Sequence, residues 1–196
     1  MISKKVYNEM EMLRGKDKYP GSSLEEHIIS KIFPDSAETL ALKLSNVTAG
    51  FYGFLLKHVG LQCGWDKVDD ISKSLFRELG NLKAAEAIEN NVEIPNDTRA
   101  LAIVFITAVF TSSPEYNFEF MEYAPEKTVM RIFGACRYYR IAKKLNIASH
   151  LTWPTLTAFF EGIAEYFEIS CNITMEVKDI HDDGKCDYLA TFILKK

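Results

Sequence analysis

Thr128-Val129-Met130-Arg131-Ile132-Phe133-Gly134-Ala135-Cys136-Arg137-Tyr138-Tyr139 is an apolar strand pattern that runs through a glycine into a helix start. Upstream, Tyr116, Phe118 and Phe120 alternate with Asn117 and Glu119, the period of two that marks a strand with one buried face. The Ala124-Pro125-Glu126-Lys127 turn joins the two segments into a hairpin. Downstream, Cys136 to Leu145 reads as a short helix, and a second begins at Trp153-Pro154, a proline suited to the first helical turn, and reaches about Glu168. Cys171, Ile173, Met175 and Val177 then alternate with Asn172, Thr174, Glu176 and Lys178, and the Asp183-Gly184 turn leads into a last strand over Asp187 to Leu194. The order strand, strand, helix, helix, strand, strand predicts an α+β fold: a four-stranded antiparallel sheet with two covering helices and an N-terminal helical bundle packed beside it.

Working outward, residues 1–21 form a polar arm with a thin apolar stripe at Ile2, Val6, Met10 and Leu13. Residues 22–113 read as the bundle. Ser23 and Glu26 have the spacing of a capping box, Pro34 ends that helix, and Asp35 with Glu38 repeats the start signal. The next helix carries Leu40, Leu44, Val47, Phe51 and Leu55 as a stripe toward a partner and ends near Gly60. Gly50 and Gly53 inside it each cost up to about 1 kcal/mol relative to alanine, so close helix contact or a ligand must offset them. Trp65 to Asn90 is a third helical stretch, and Asp97 to about Phe110, apolar almost all round, is the expected centre of the bundle. Residues 114–196 complete the same compact unit as a ββααββ part with the look of a ligand-binding module.

The 196 residues are 47% hydrophobic and 26% charged, enough apolar material for a sizeable core. A net charge of -4 with no basic patch argues against nucleic acid as a partner. The longest apolar run, Leu101 to Phe110, is about half of what crosses a bilayer, and the first twenty residues lack an apolar signal core, so no membrane and a cytoplasmic location are expected. Four cysteines without a CxxC pair indicate reduced thiols rather than a disulfide framework or a zinc ribbon. Walker, GxGxxG, HExxH and GxSxG motifs do not occur.

Cys136 has two readings. At a helix start the macrodipole lowers a thiol's pKa and favours a nucleophile; equally, the residue is a small buried hydrophobe. Arg131 and Arg137 flank it and suit a ligand carboxylate or a solvated surface. His150 is the nearest candidate base. Tyr138, Tyr139, Trp153, Phe159, Phe160, Tyr166 and Phe167 form an aromatic belt that Tyr52 can face, either core or the wall of an apolar-ligand pocket. Glu161, Glu165 and Glu168 share a helical face, as an acid-base set or a solvated surface. Zinc on Cys171 and Cys186 would need further ligands from Cys136, His150, His181 or Glu168, which no local spacing demands, so no cofactor is expected.

The strand Thr128 to Ile132 leading to Cys136, Ala142-Lys143-Lys144-Leu145, Phe160-Glu161-Gly162-Ile163-Ala164 and Gly184-Lys185-Cys186-Asp187-Tyr188 carry a resemblance. This block resembles an uncharacterised prokaryotic family related to L-2-amino-thiazoline-4-carboxylic acid hydrolase. More distantly it is similar to the 4-vinyl-reductase or hydrocarbon-binding domain. That likeness implies a ligand pocket and frequent dimerisation. In its zinc-bearing members an E-x-x-C motif precedes a last cysteine, which Glu168-Ile169-Ser170-Cys171 with Cys186 matches in part. The expectation is a small-organic-molecule-binding protein, with Arg131, Arg137, Tyr139, Trp153 and Tyr52 at the ligand. The alternative is a hydrolase of a cyclic amide or thiazoline-type substrate, with Cys136 as nucleophile, His150 as base and Arg131 or Arg137 on a carboxylate. A structural homodimer using the sheet or bundle face is the third reading.

Overall fold

A computed structural model describes residues 4–195, so Ile2 of the expected stripe lies outside the described residues. The chain divides into two compact units, residues 1–46 and 47–196. The first holds α1 (Lys4–Glu9), α2 (Glu11–Arg14), α3 (Ser22–Ile32) and the opening turns of α4 (Ala37–Cys63). Val6 and Ile29 are its buried apolar positions, and Tyr7 meets Phe33 edge-on at 5.1 Å. The capping box of Ser23 and Glu26 does not form, because α3 begins two residues earlier, at Ser22 behind Gly21, which supplies no side-chain cap. The start signal at α4 is real but shifted: the Thr39 N–H donates to Ser36 Oγ at 3.1 Å, satisfying one of the orphan donors of the first turn.

The second unit continues α4 and adds α5 (Val68–Glu89), α6 (Arg99–Ser112), β1 (Tyr116–Tyr123), β2 (Lys127–Ala135), α7 (Arg137–Lys144), α8 (Leu156–Tyr166), β3 (Cys171–Ile180) and β4 (Lys185–Leu194). Its strands form one antiparallel sheet in the order β1-β2-β4-β3, the α+β arrangement expected from the sequence. Register decides the faces. Ile132 pairs with both Phe118 and Tyr188, and Met130 with both Phe120 and Ala190, so these residues share one side. On that side Thr128, Met130, Ile132, Tyr188, Ala190 and Phe192 are buried. The cover comes from α6 and α8: Phe160 lies 4.7 Å from Phe192 and 5.5 Å from Phe105, ring centre to ring centre. The other side carries Arg131, Asp187 and Glu119.

Helix α6 is the expected central helix, with Ala100, Leu101, Ala102 and Val104 wholly buried. Helices α5 and α8 cross at backbone contact. A Cβ on Gly80 would collide with the Phe159 carbonyl, and one on Gly162 with the Arg77 carbonyl, so only glycine permits this approach. Arg77 then spans the crossing to Glu161 and, at 3.2 Å, to Glu165. In α4 the contact explanation holds for Gly53, whose Cβ would sit 2.8 Å from Ile141 of α7. The stripe assigned to a partner does not bury. Leu44, Val47, Phe51 and Leu55 are exposed, whereas the adjacent stripe of Ala49, Tyr52 and Leu56 goes inside. Trp153-Pro154 is a cis bond and α8 starts after it, at Leu156, so Pro154 precedes the helix instead of opening it. No helix among the described residues is long and apolar enough to cross a membrane.

Candidate functional site

Four helices of the second unit wall a half-open cavity of about 530 Å³, within the range of small-molecule sites. Helix periodicity builds it. Leu75, Leu79 and Leu82, spaced by four and three, bring one face of α5 to the space, and Tyr52 with Leu55 does so from α4. Phe105 of α6 and Phe159 of α8 close the remaining walls. At the rim, Phe51 of α4 is 75% exposed and Leu82 is 54% exposed, so apolar surface continues from the cavity out to solvent.

One end of the cavity is polar. Arg137, the first residue of α7, is only 3% exposed and forms an ion pair with Glu115. Its Nη1 also donates to Ser113 Oγ at 3.1 Å and its Nη2 to the Tyr138 hydroxyl at 2.8 Å, with the guanidinium 4.4 Å from the Tyr138 ring centre. Burial alone would lower the Arg137 pKa, but Tyr138 and the Glu115 carboxylate outweigh it and hold the side chain charged. The Nε–H finds no hydrogen-bond partner among the described residues. Beside this network Tyr52, Phe76 and Tyr138 meet edge to face at 5.0 to 5.5 Å, and Tyr52 shares a 2.8 Å hydrogen bond with Ser72 Oγ. Burial pushes the Tyr52 and Tyr138 phenols up, so both stay neutral donors at ordinary pH.

Of the residues singled out from sequence, Tyr52, Arg137 and, from the aromatic belt, Tyr138 and Phe159 line this cavity, whereas Cys136, Arg131, Tyr139, His150 and Trp153 do not. Arg131 sits on the opposite side of the sheet, held by a two-pronged contact to Asp187 at 2.8 and 3.0 Å and facing Glu119 at 3.6 Å. Its alternation with the buried Met130 and Ile132 put it there, and it has no access to a pocket under the helices. Tyr139 and Trp153 pack edge to face at 5.0 Å, with Trp153 Nε1 donating to the Ala148 carbonyl. His150 stacks on Trp65 at 4.4 Å. Glu161 and Glu165 serve the Arg77 clasp described above, and Glu168 lies past the end of α8 with a positive φ of 56°.

Cys136 caps α7: its sulfur accepts the Tyr139 N–H at 3.4 Å. The lowered pKa expected of a helix start does not appear, because burial pushes the thiol up more than Tyr116, the Tyr139 N–H and Arg137 pull it down. The Tyr116 and Tyr188 hydroxyls approach this sulfur, though neither finds a partner at hydrogen-bond geometry among the described residues. Cys186, on the neighbouring strand, is also buried, and burial pushes its thiol up to about 12. No cluster of three or more His, Cys, Asp or Glu side chains is arranged to hold a metal ion among the described residues.

Sequence reasoning missed Leu75, Leu79, Leu82 and Ser113 as site residues. The three leucines have the same spacing as any core-facing stripe, and nothing local separates a wall from a packed interface. Comparison with known proteins adds no assignment: no family model, no curated protein and no solved structure matches this chain.

Proposed function

We propose that this chain binds a small organic molecule in the cavity walled by α4, α5, α6 and α8. The observation that carries the reading is the composition of that space: aliphatic and aromatic walls from four helices, with polar groups gathered around the buried Arg137 at one end. A concave apolar site with a few converging polar groups is the usual form of a ligand pocket. It also agrees with the binding function implied by the resemblance to the hydrocarbon-binding domain. Hydrolysis draws less support, since Cys136 is buried away from the cavity walls with its thiol pushed toward the neutral form.

The test fills the cavity. Leu79→Trp adds bulk to the α5 wall without touching a polar group. A broad small-molecule screen followed by thermal unfolding should find compounds that raise Tm in the natural protein, by the mass-action stabilisation that any ligand specific to the folded state produces, and lose that effect in the variant. Compounds that stabilise both proteins equally would place binding elsewhere.

A further inference from the structure

The chemistry of the polar end sets the class of molecule the cavity takes, provided the binding reading above is correct. Donors are left over there, and a buried donor without an acceptor is the costlier kind of orphan. Arginine can only donate, so Ser113 Oγ and the Tyr138 hydroxyl must both accept from Arg137; each keeps a second lone pair, and its own hydrogen is left to point elsewhere. The Arg137 Nε–H is a further donor, closed off from solvent and without an acceptor among the described residues. Lys83 also lines the cavity, and its ammonium group has no accepting capacity. A complementary ligand group therefore brings lone pairs.

Charge narrows the class. Arg137 already has the Glu115 carboxylate, and Lys83 has Glu86 at 2.6 Å. Each cation on the lining is neutralised within the chain, so an anionic ligand would bring an additional charge into apolar surroundings with no free countercharge. That desolvation is expensive. An ammonium ligand fares no better, adding a further cation beside Arg137 and Lys83, whose carboxylate partners are already engaged. We infer that the cavity is specific for a neutral, largely apolar molecule bearing a hydrogen-bond acceptor such as a ketone, ester or amide carbonyl, with the acceptor seated at the Arg137 and Ser113 end. A carboxylate held by Arg137, as the hydrolase reading required, is not what this site is built to take.

Four probes with the same apolar body separate the outcomes: butylbenzene, butyrophenone, phenylbutyrate and phenylbutylammonium, titrated calorimetrically into the full chain at neutral pH. Butyrophenone should bind about tenfold more tightly than butylbenzene, the worth of one neutral hydrogen bond, and more tightly than either ion. Ser113→Ala should reduce its advantage, and the charge-balanced pair Arg137→Met with Glu115→Gln should remove it. Leu79→Trp should abolish binding of every probe. Equal affinity for butylbenzene and butyrophenone, with both lost in Leu79→Trp, would overturn the acceptor specificity and leave the binding site standing. Tightest binding of phenylbutyrate would overturn neutrality. No binding of any probe would overturn the inference together with the reading on which it rests.

Discussion

Arg137 pairs with Glu115 in a setting where both side chains are almost wholly removed from water. Deleting one member of such a pair leaves the other charge in a medium that solvates it poorly, which costs more than the pair contributes when intact. Arg137→Met is expected to lower unfolding free energy by about 3 kcal/mol in urea titrations. Adding Glu115→Gln should recover much of that loss; no recovery would mean that packing rather than charge dominates at this position. The thiols give a second residue-level outcome. Cys63 is exposed, whereas Cys136 and Cys186 are buried with raised pKa values. Brief iodoacetamide treatment of the native protein, followed by peptide mass spectrometry, should modify Cys63 and leave Cys136 and Cys186 intact until denaturant is added. Rapid native labelling of Cys136 would restore it as a nucleophile candidate.

Among the elements, the α5 and α8 crossing is the tightest constraint. Two glycines put backbone against backbone, and a methyl group at either meets a carbonyl oxygen that cannot move without its helix. Gly80→Ala and Gly162→Ala should each destabilise by about 2 kcal/mol or more, despite the gain in helix propensity that alanine brings in an open helix. A neutral effect in thermal unfolding would show that the helices separate at little cost. Since α5 and α8 also wall the cavity, these variants should weaken ligand binding as well. Helix α4 teaches a different lesson. Its stripe of Leu44, Val47, Phe51 and Leu55 has the same helical spacing as a core face, yet the inside belongs to Ala49, Tyr52 and Leu56. Periodicity alone reports that a face is apolar. It does not say which apolar face finds a neighbour.

Across the molecule, the buried thiols and paired carboxylates set a pH window. Asp187 beside Arg131 and Asp97 beside Arg99 are held below the usual carboxylate range. Burial raises Asp69, but its bonds from Lys73 and Thr152 more than reverse that. For these groups stability is present above the unfolded value of about 3.9 and is lost as pH falls through the lower folded values. The Cys136 and Cys186 shifts act in the opposite direction: their contribution is complete below the unfolded thiol value of about 8.5 and is lost as pH rises toward the folded ones. Unfolding midpoints should therefore form a plateau from about pH 5 to pH 8 and fall on both sides. The alkaline fall should be shallower in Cys186→Ala; an unchanged slope would assign it to other groups.

The order of elements and the alternation within each strand were legible from local pattern, because a strand or an amphipathic helix writes its period into a dozen neighbouring residues. That is why the hairpin over Tyr116 to Phe133, the strand from Cys171 and the all-apolar α6 appear where expected. Arg137 and Tyr52 were also visible as candidates, one beside a strand end and one between glycines. What no local signal carried was the pairing of β2 with β4, which brought Asp187 to Arg131, or the gap left between Leu75, Leu79 and Phe105. Sheet order and an unfilled volume are properties of contacts between residues far apart in the chain, where side-chain sizes must match in three dimensions. The electrostatic state of Cys136 belongs to the same category: its helix-start position favours a thiolate, and the packing around it reverses that preference.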